Sequence, residues 1–123
     1  MDKLSEEIEL PPQVREQLMR LQQLQQTLQA VVTQKQQLEI ELTETDKAMS
    51  ELKNATKETP VYKSVGNILI KYDKKRLLEE LTERNELLNT RVTVLGKQEE
   101  RTKERIKEVQ EKLQTRIGKK SPQ

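Results

Sequence analysis

The chain has 123 residues, 32% hydrophobic and 36% charged, with two tyrosines and no phenylalanine or tryptophan, so a conventional globular core is excluded. Its net charge of +2, from 23 basic and 21 acidic residues, argues against a dominant role in binding a phosphate backbone. With neither cysteine nor histidine, it has no disulfide staples or thiol nucleophiles and lacks the side chains of most zinc sites and most general bases.

The opening MDKLSEEIELPP has no basic region leading into an apolar run, and nowhere do eighteen apolar residues stand together. Secretion and membrane spanning are therefore not expected, and the chain is expected in the cytoplasm. Residues 1–11 are read as an N-terminal arm. Residues 1–16 carry five acids (Asp2, Glu6, Glu7, Glu9, Glu16) against two bases (Lys3, Arg15).

From Val14 a heptad can be written with position a at Val14, Leu21, Leu28, Lys35, Leu42 and Met49, and d at Gln17, Leu24, Val31, Leu38, Thr45 and Leu52. Nine of these twelve are apolar, a sustained 3.5-residue period that predicts a coiled-coil helix over residues 12–55. Pro11 and Pro12 mark its start, because proline is tolerated in a first turn and poorly inside a helix. The glutamines between Gln13 and Gln37 fall mainly off the seam and read as a solvated helix face.

Residues 60–72 break the pattern. A two-residue turn at Gly66 and Asn67 sets Val65 opposite Ile68, Lys63 opposite Ile70 and Val61 opposite Tyr72, which predicts a β-hairpin. Those six positions share one mostly apolar face, and Tyr62, Ser64, Leu69 and Lys71 share the other. A plain helix connection rarely uses a Val-Ile-Leu-Ile vocabulary. A lone hairpin is marginal in water and exposes unpaired edges, and no other segment of this chain reads as a strand, so the hairpin is expected to pair with hairpins of other subunits.

After Asp73, a suitable N-cap, a second series runs Leu78, Leu81, Asn85, Leu88, Val92, Leu95, Glu99, Thr102, Ile106, Val109, Leu113, Arg116. Gly118 and Pro122 are expected to stop it, giving a helix over 74–117 and a flexible tail over 118–123. Lys35, Asn85 and Glu99 interrupt the seam and are read as register-setting residues. Two arms of about 44 residues, each on the order of 65 Å long, can fold back on one another as an antiparallel coiled coil. The fold class is therefore mainly α with a small β element: a long two-helix coiled coil joined by a single β-hairpin that oligomerises. Residues 97–120 carry nine bases against five acids, opposite in sign to the N-terminal arm.

VYKSVGNILIK between two heptad arms, preceded by ELPPQVREQLMRLQQLQQTLQAVVTQKQQLE, closely resembles the β-class subunit of archaeal prefoldin over nearly the whole chain. Neither part is specific alone; their order is. The α-class subunits carry two hairpins, and here there is room for one. The resemblance implies a hexamer of two α-class and four β-class subunits, whose hairpins form a β-barrel body from which coiled coils project. It also implies an ATP-independent chaperone that holds unfolded or nascent proteins, prevents their aggregation and delivers them to a group II chaperonin. The assembly positions carried over are Val61, Tyr62, Lys63, Val65, Gly66, Asn67, Ile68, Leu69 and Ile70.

No motif marks client-binding residues. A coiled coil frays at its free end, so apolar groups there are the candidates: Leu4, Ile8, Leu10, Val14 and Leu18, with Ile106, Val109, Leu113 and Ile117. No catalytic, cofactor-binding or metal-binding residues are expected, because no glycine-rich phosphate loop occurs and the carboxylates are spread along solvated faces. No nucleic-acid or membrane partner is expected. The competing reading is a structural coiled-coil scaffold or adaptor without client-holding activity, which explains the heptads but not the hairpin.

Overall fold

The computed structural model describes residues 10–120, and the side chains of residues 10–116. Two long helices, α1 (Pro12–Asn54) and α2 (Lys74–Lys120), have an antiparallel two-stranded hairpin between them, β1 (Tyr62–Val65) and β2 (Ile68–Lys71). The described residues divide into two compact units, residues 33–96 and residues 10–32 with 97–120.

In the unit of residues 33–96, Lys35, Leu38, Leu42, Thr45, Met49 and Leu52 of α1 and Leu78, Leu81, Asn85, Leu88, Val92 and Leu95 of α2 are all buried or half-buried. These are the heptad positions, and burying them is what holds two otherwise polar helices in place. Leu88 is fully enclosed, whereas its neighbour Leu87 is exposed. The polar members of the seam are satisfied locally: the Thr45 hydroxyl donates to the Glu41 carbonyl at 2.8 Å, and Asn85 Nδ2 donates to the Asp46 carboxylate. Such a pair has only one favourable register, so it aligns the helices where leucines would tolerate slippage.

The other unit repeats this scheme. Val14, Gln17, Leu21, Leu24, Leu28 and Val31 face inward, as do Glu99, Thr102, Ile106, Val109 and Leu113. Val14, Val109 and Leu113 form its buried cluster, with Leu21 and Leu24 packed against it. Thr102 is buried, its hydroxyl donating to the Gln98 carbonyl at 2.8 Å. Arg116 is the exception to the seam pattern: it is exposed and donates to the Gln13 side chain.

The helix ends follow local chemistry. Pro12 opens α1, where a missing N–H does no harm, and Arg15 N donates to the Pro11 carbonyl at 3.0 Å. Asp73 caps α2: its Oδ2 accepts from Arg76 N at 2.9 Å, and its carbonyl accepts from Leu77 N. At its other end α2 runs to Lys120, three residues past the end expected just before Gly118. A helical glycine costs only about 1 kcal/mol relative to alanine, so Gly118 among good helix formers does not terminate the helix. The expected tail beyond residue 120 lies outside the described residues.

Candidate functional site

The hairpin pairs Val65 with Ile68, Ser64 with Leu69, Lys63 with Ile70 and Tyr62 with Lys71, and Tyr72 N extends the ladder to the Val61 carbonyl at 2.8 Å. Gly66 has φ of 60°, while Asn67 does not take positive φ. Positive φ at the first central position alone is the type II′ pattern, whose twist matches that of the flanking strands and which favours glycine there. A side chain at residue 66 would meet nothing, so the requirement for glycine lies in the backbone, not in space.

Side-chain exposure divides the hairpin by face at its base and leaves the turn end open on both faces. At its base Val61, Lys63 and Tyr72 are half-buried, whereas Tyr62, Val65, Ile68, Leu69 and Ile70 are exposed, Leu69 at 72% and Ile68 at 60%. Large aliphatic groups on both faces of a two-stranded sheet thus stand in solvent. Neither outer edge has a neighbouring strand among the described residues. Five exposed apolar side chains on one hairpin, Val65, Ile68 and Ile70 on one face and Tyr62 and Leu69 on the other, are a concentration of apolar surface of the kind that marks an interaction site.

The base is tied to α2 by polar contacts. Lys63 Nζ donates to Glu80 Oε1 at 2.7 Å, the Tyr72 hydroxyl donates to Glu80 Oε2, and Arg76 Nε stands 3.6 Å from the same oxygen. The Lys63 ammonium also lies 4.9 Å from the centre of the Tyr72 ring, with the Arg76 guanidinium 5.6 Å from it. The hydrogen bond from Lys63, followed by that from Tyr72, holds the Glu80 carboxyl below its ordinary range. The hydrogen bond to Glu80 raises both the Lys63 ammonium and the Tyr72 hydroxyl above theirs. Glu80, Arg76 and Tyr72 were not among the expected site residues. Glu80 lies off the heptad seam, where nothing in the spacing separates it from Glu79 or Glu83.

Among the candidate client-binding residues, Leu10 and Leu18 are exposed at 39% and 41%, Ile106 is half-buried, and Val14, Val109 and Leu113 bury one another. Leu4, Ile8 and the side chain of Ile117 lie outside the described residues. Met19, 63% exposed, adds apolar surface that the heptad assignment passed over because it stands on the outer face of α1. Between the helices of this unit runs an open groove lined mainly by polar side chains, including Gln13, Glu108, Glu111, Lys112 and Arg116, together with Pro11 and Val14. The seam contains one poorly satisfied group: Gln17 Oε1 is enclosed without a hydrogen-bond partner among the described residues. No cluster of three or more acidic residues placed to hold a metal ion occurs among the described residues, and none of their helices is long and apolar enough to cross a membrane.

The prefoldin subunit family profile matches residues 15–120. The chain belongs to the prefoldin subunit family. It is 50% identical over 110 residues to prefoldin subunit beta of Archaeoglobus fulgidus, covering 89% of this chain and 95% of that one. It is 44% identical over 114 residues to prefoldin subunit beta of Methanothrix thermoacetophila, covering 93% and 95%. The crystal structure of the prefoldin beta subunit from Thermococcus strain KS-1 superposes with a TM-score of 0.82 at 38% identity, covering 91% of this chain and 96% of that one. Two long helices with one hairpin between them is thus the prefoldin beta fold, and the chain has a prefoldin chaperone-subunit role in a family that is not enzymatic.

Proposed function

We propose that this chain is a β-class subunit of an ATP-independent holding chaperone in the cytoplasm. Its hairpin joins those of α-class and other β-class subunits in a hexamer of two α and four β. The free ends of its helices hold unfolded or nascent proteins and release them to a group II chaperonin. The observation that carries this reading is the hairpin itself, whose Val65, Ile68, Leu69 and Ile70 stand exposed on a sheet of two strands. A surface of that kind is stable in water when other strands cover it, and several subunits assembled through it act on one client with high effective concentration.

For the client contact, exposed Leu10, Leu18 and Met19 supply first apolar contacts. The unpaired Gln17 oxygen weakens the adjoining seam, because an enclosed acceptor without a donor costs about 1–3 kcal/mol. Loosening there would open Val14, Val109 and Leu113 to a non-native chain. Leu4, Ile8, Ile106 and Ile117 complete the proposed client surface.

The test is aggregation of a protein diluted from denaturant, followed by light scattering without nucleotide, in the presence of this chain assembled with an α-class subunit. Suppression at stoichiometric amounts, weakened by deleting residues 1–10 and 114–123 while the oligomer survives, is the expected result. Unchanged aggregation would instead favour a coiled-coil scaffold without client-holding activity.

A further inference from the structure

The hairpin leaves α2 through a very short connection: β2 ends at Lys71 and α2 begins at Lys74. On the other side, residues 55–61 link α1 to β1, with a turn in which Thr59 N donates to the Thr56 carbonyl at 3.2 Å and the two threonine hydroxyls lie 2.9 Å apart. Covalent connection alone leaves a hairpin free to swing about Tyr72 and Asp73. Among the described residues, Lys63 and Tyr72 are the hairpin side chains that hydrogen-bond to a helix, and both bond to Glu80.

Lys63 belongs to β1, and Tyr72 follows β2 in the extended ladder, so the two donors come from opposite sides of the hairpin. Each uses a different oxygen of the same carboxylate, and Arg76, one turn back on α2, braces the second oxygen. One contact would act as a pivot; two contacts, one from each strand, also restrict rotation about the hairpin axis. Both cations lie against the Tyr72 ring, which limits the rotamers available to it.

We propose that Glu80 is a positioning residue for assembly: by holding Lys63 and Tyr72 together, it sets the direction in which Val65, Ile68, Leu69 and Ile70 are offered to the hairpins of neighbouring subunits. The inference rests on the assembly role of the hairpin and adds its control. A subunit whose hairpin samples many directions presents the competent one for only a fraction of the time, and its apparent affinity falls by that fraction. Pre-setting the direction removes this loss before partners meet.

The experiment compares the full-length chain with Glu80→Gln, Lys63→Glu, the exchanged pair Lys63→Glu/Glu80→Lys, and Glu79→Gln as a control, each titrated against an α-class subunit by sedimentation velocity. Circular dichroism reports the helices. Glu80→Gln is expected to raise the concentration at half-assembly about tenfold, as a competent fraction near one in ten requires, with helix content unchanged. Lys63→Glu should do the same or worse. The exchanged pair rebuilds the ion pair but not the carboxylate that accepts from Tyr72, so it should recover part of the loss, a result that mere loss of packing at either position would not give, and Glu79→Gln should match the parent. Parent-like assembly of Glu80→Gln, or an exchanged pair no better than its single variants, overturns the role of Glu80. If the unsubstituted chain itself fails to assemble, the hairpin's assembly role falls first, and that of Glu80 with it.

Discussion

Lys74 Nζ, in the first turn of α2, donates to the Ala55 carbonyl at 2.6 Å, directly after the end of α1. A helix C-terminus leaves carbonyls without partners and carries partial negative charge, so an ammonium placed there satisfies one acceptor and complements the dipole. The same short stretch thus starts one helix and closes the other. Replacing Lys74 with methionine keeps the aliphatic stem and removes the donor. This should lower stability by about 1 kcal/mol, read as a fall of about 4 °C in the thermal midpoint at fixed protein concentration. An unchanged midpoint would mean that water serves the carbonyl equally well.

Glu80 should make hairpin attachment depend on pH from both sides. Its carboxyl is held below the ordinary 4.5 first by Lys63 and then by Tyr72, so its contribution is present above that value and is lost as the pH falls through the lowered one. Lys63 and Tyr72 are held above their ordinary 10.5 and 10.0 by Glu80, so theirs is complete below those values and is lost as the pH rises through the raised ones. The charged and titratable groups facing Glu80 are Lys63 from β1, Tyr72 after β2 and Arg76 from α2. The Tyr72 ring resonances should be constant across the neutral range and move at either extreme, whereas those of Glu80→Gln should show no acid transition. An acid transition retained in that variant would assign it to some other carboxylate.

Gln17 occupies a seam position with an enclosed, unpaired oxygen. Gln17→Leu removes the unsatisfied acceptor and adds apolar burial, so it should stabilise the chain by about 1–2 kcal/mol in thermal or denaturant unfolding. If the enclosed oxygen also serves to loosen the seam for clients, the same variant should hold an aggregating protein less well. Greater stability with undiminished holding would detach the client surface from seam opening.

Much of this arrangement is legible in the residues because two periods are strict. Every heptad position assigned from Val14 to Leu113 is buried or half-buried, since each apolar residue at a 3.5-residue repeat has only one face on which to leave water. The hairpin register follows from Gly66 and Asn67 in the same way: the turn sets the first pair and the strand period sets the others. Glu80 was not legible, because its role arises where two strands and a helix meet and no spacing along one element records it. The helix boundary at Gly118 was missed because a glycine's modest cost decides nothing among favourable neighbours. Nor does nearness to a helix end separate candidates that bury one another in this structure, as Val14, Val109 and Leu113 do, from those that stand exposed, as Leu10 and Leu18 do.

If the exposed hairpin joins the subunits, native mass must depend on its apolar side chains. The chain, alone and mixed with a two-hairpin α-class subunit, would be compared with Ile68→Lys/Ile70→Lys by multi-angle light scattering. Both isoleucines are exposed, at 60% and 43%, so the variant should keep its helical circular dichroism. The parent mixture should show the mass of a hexamer and the variant a much smaller mass. A variant that assembles to the same mass as the parent would mean that the hairpin does not join the subunits.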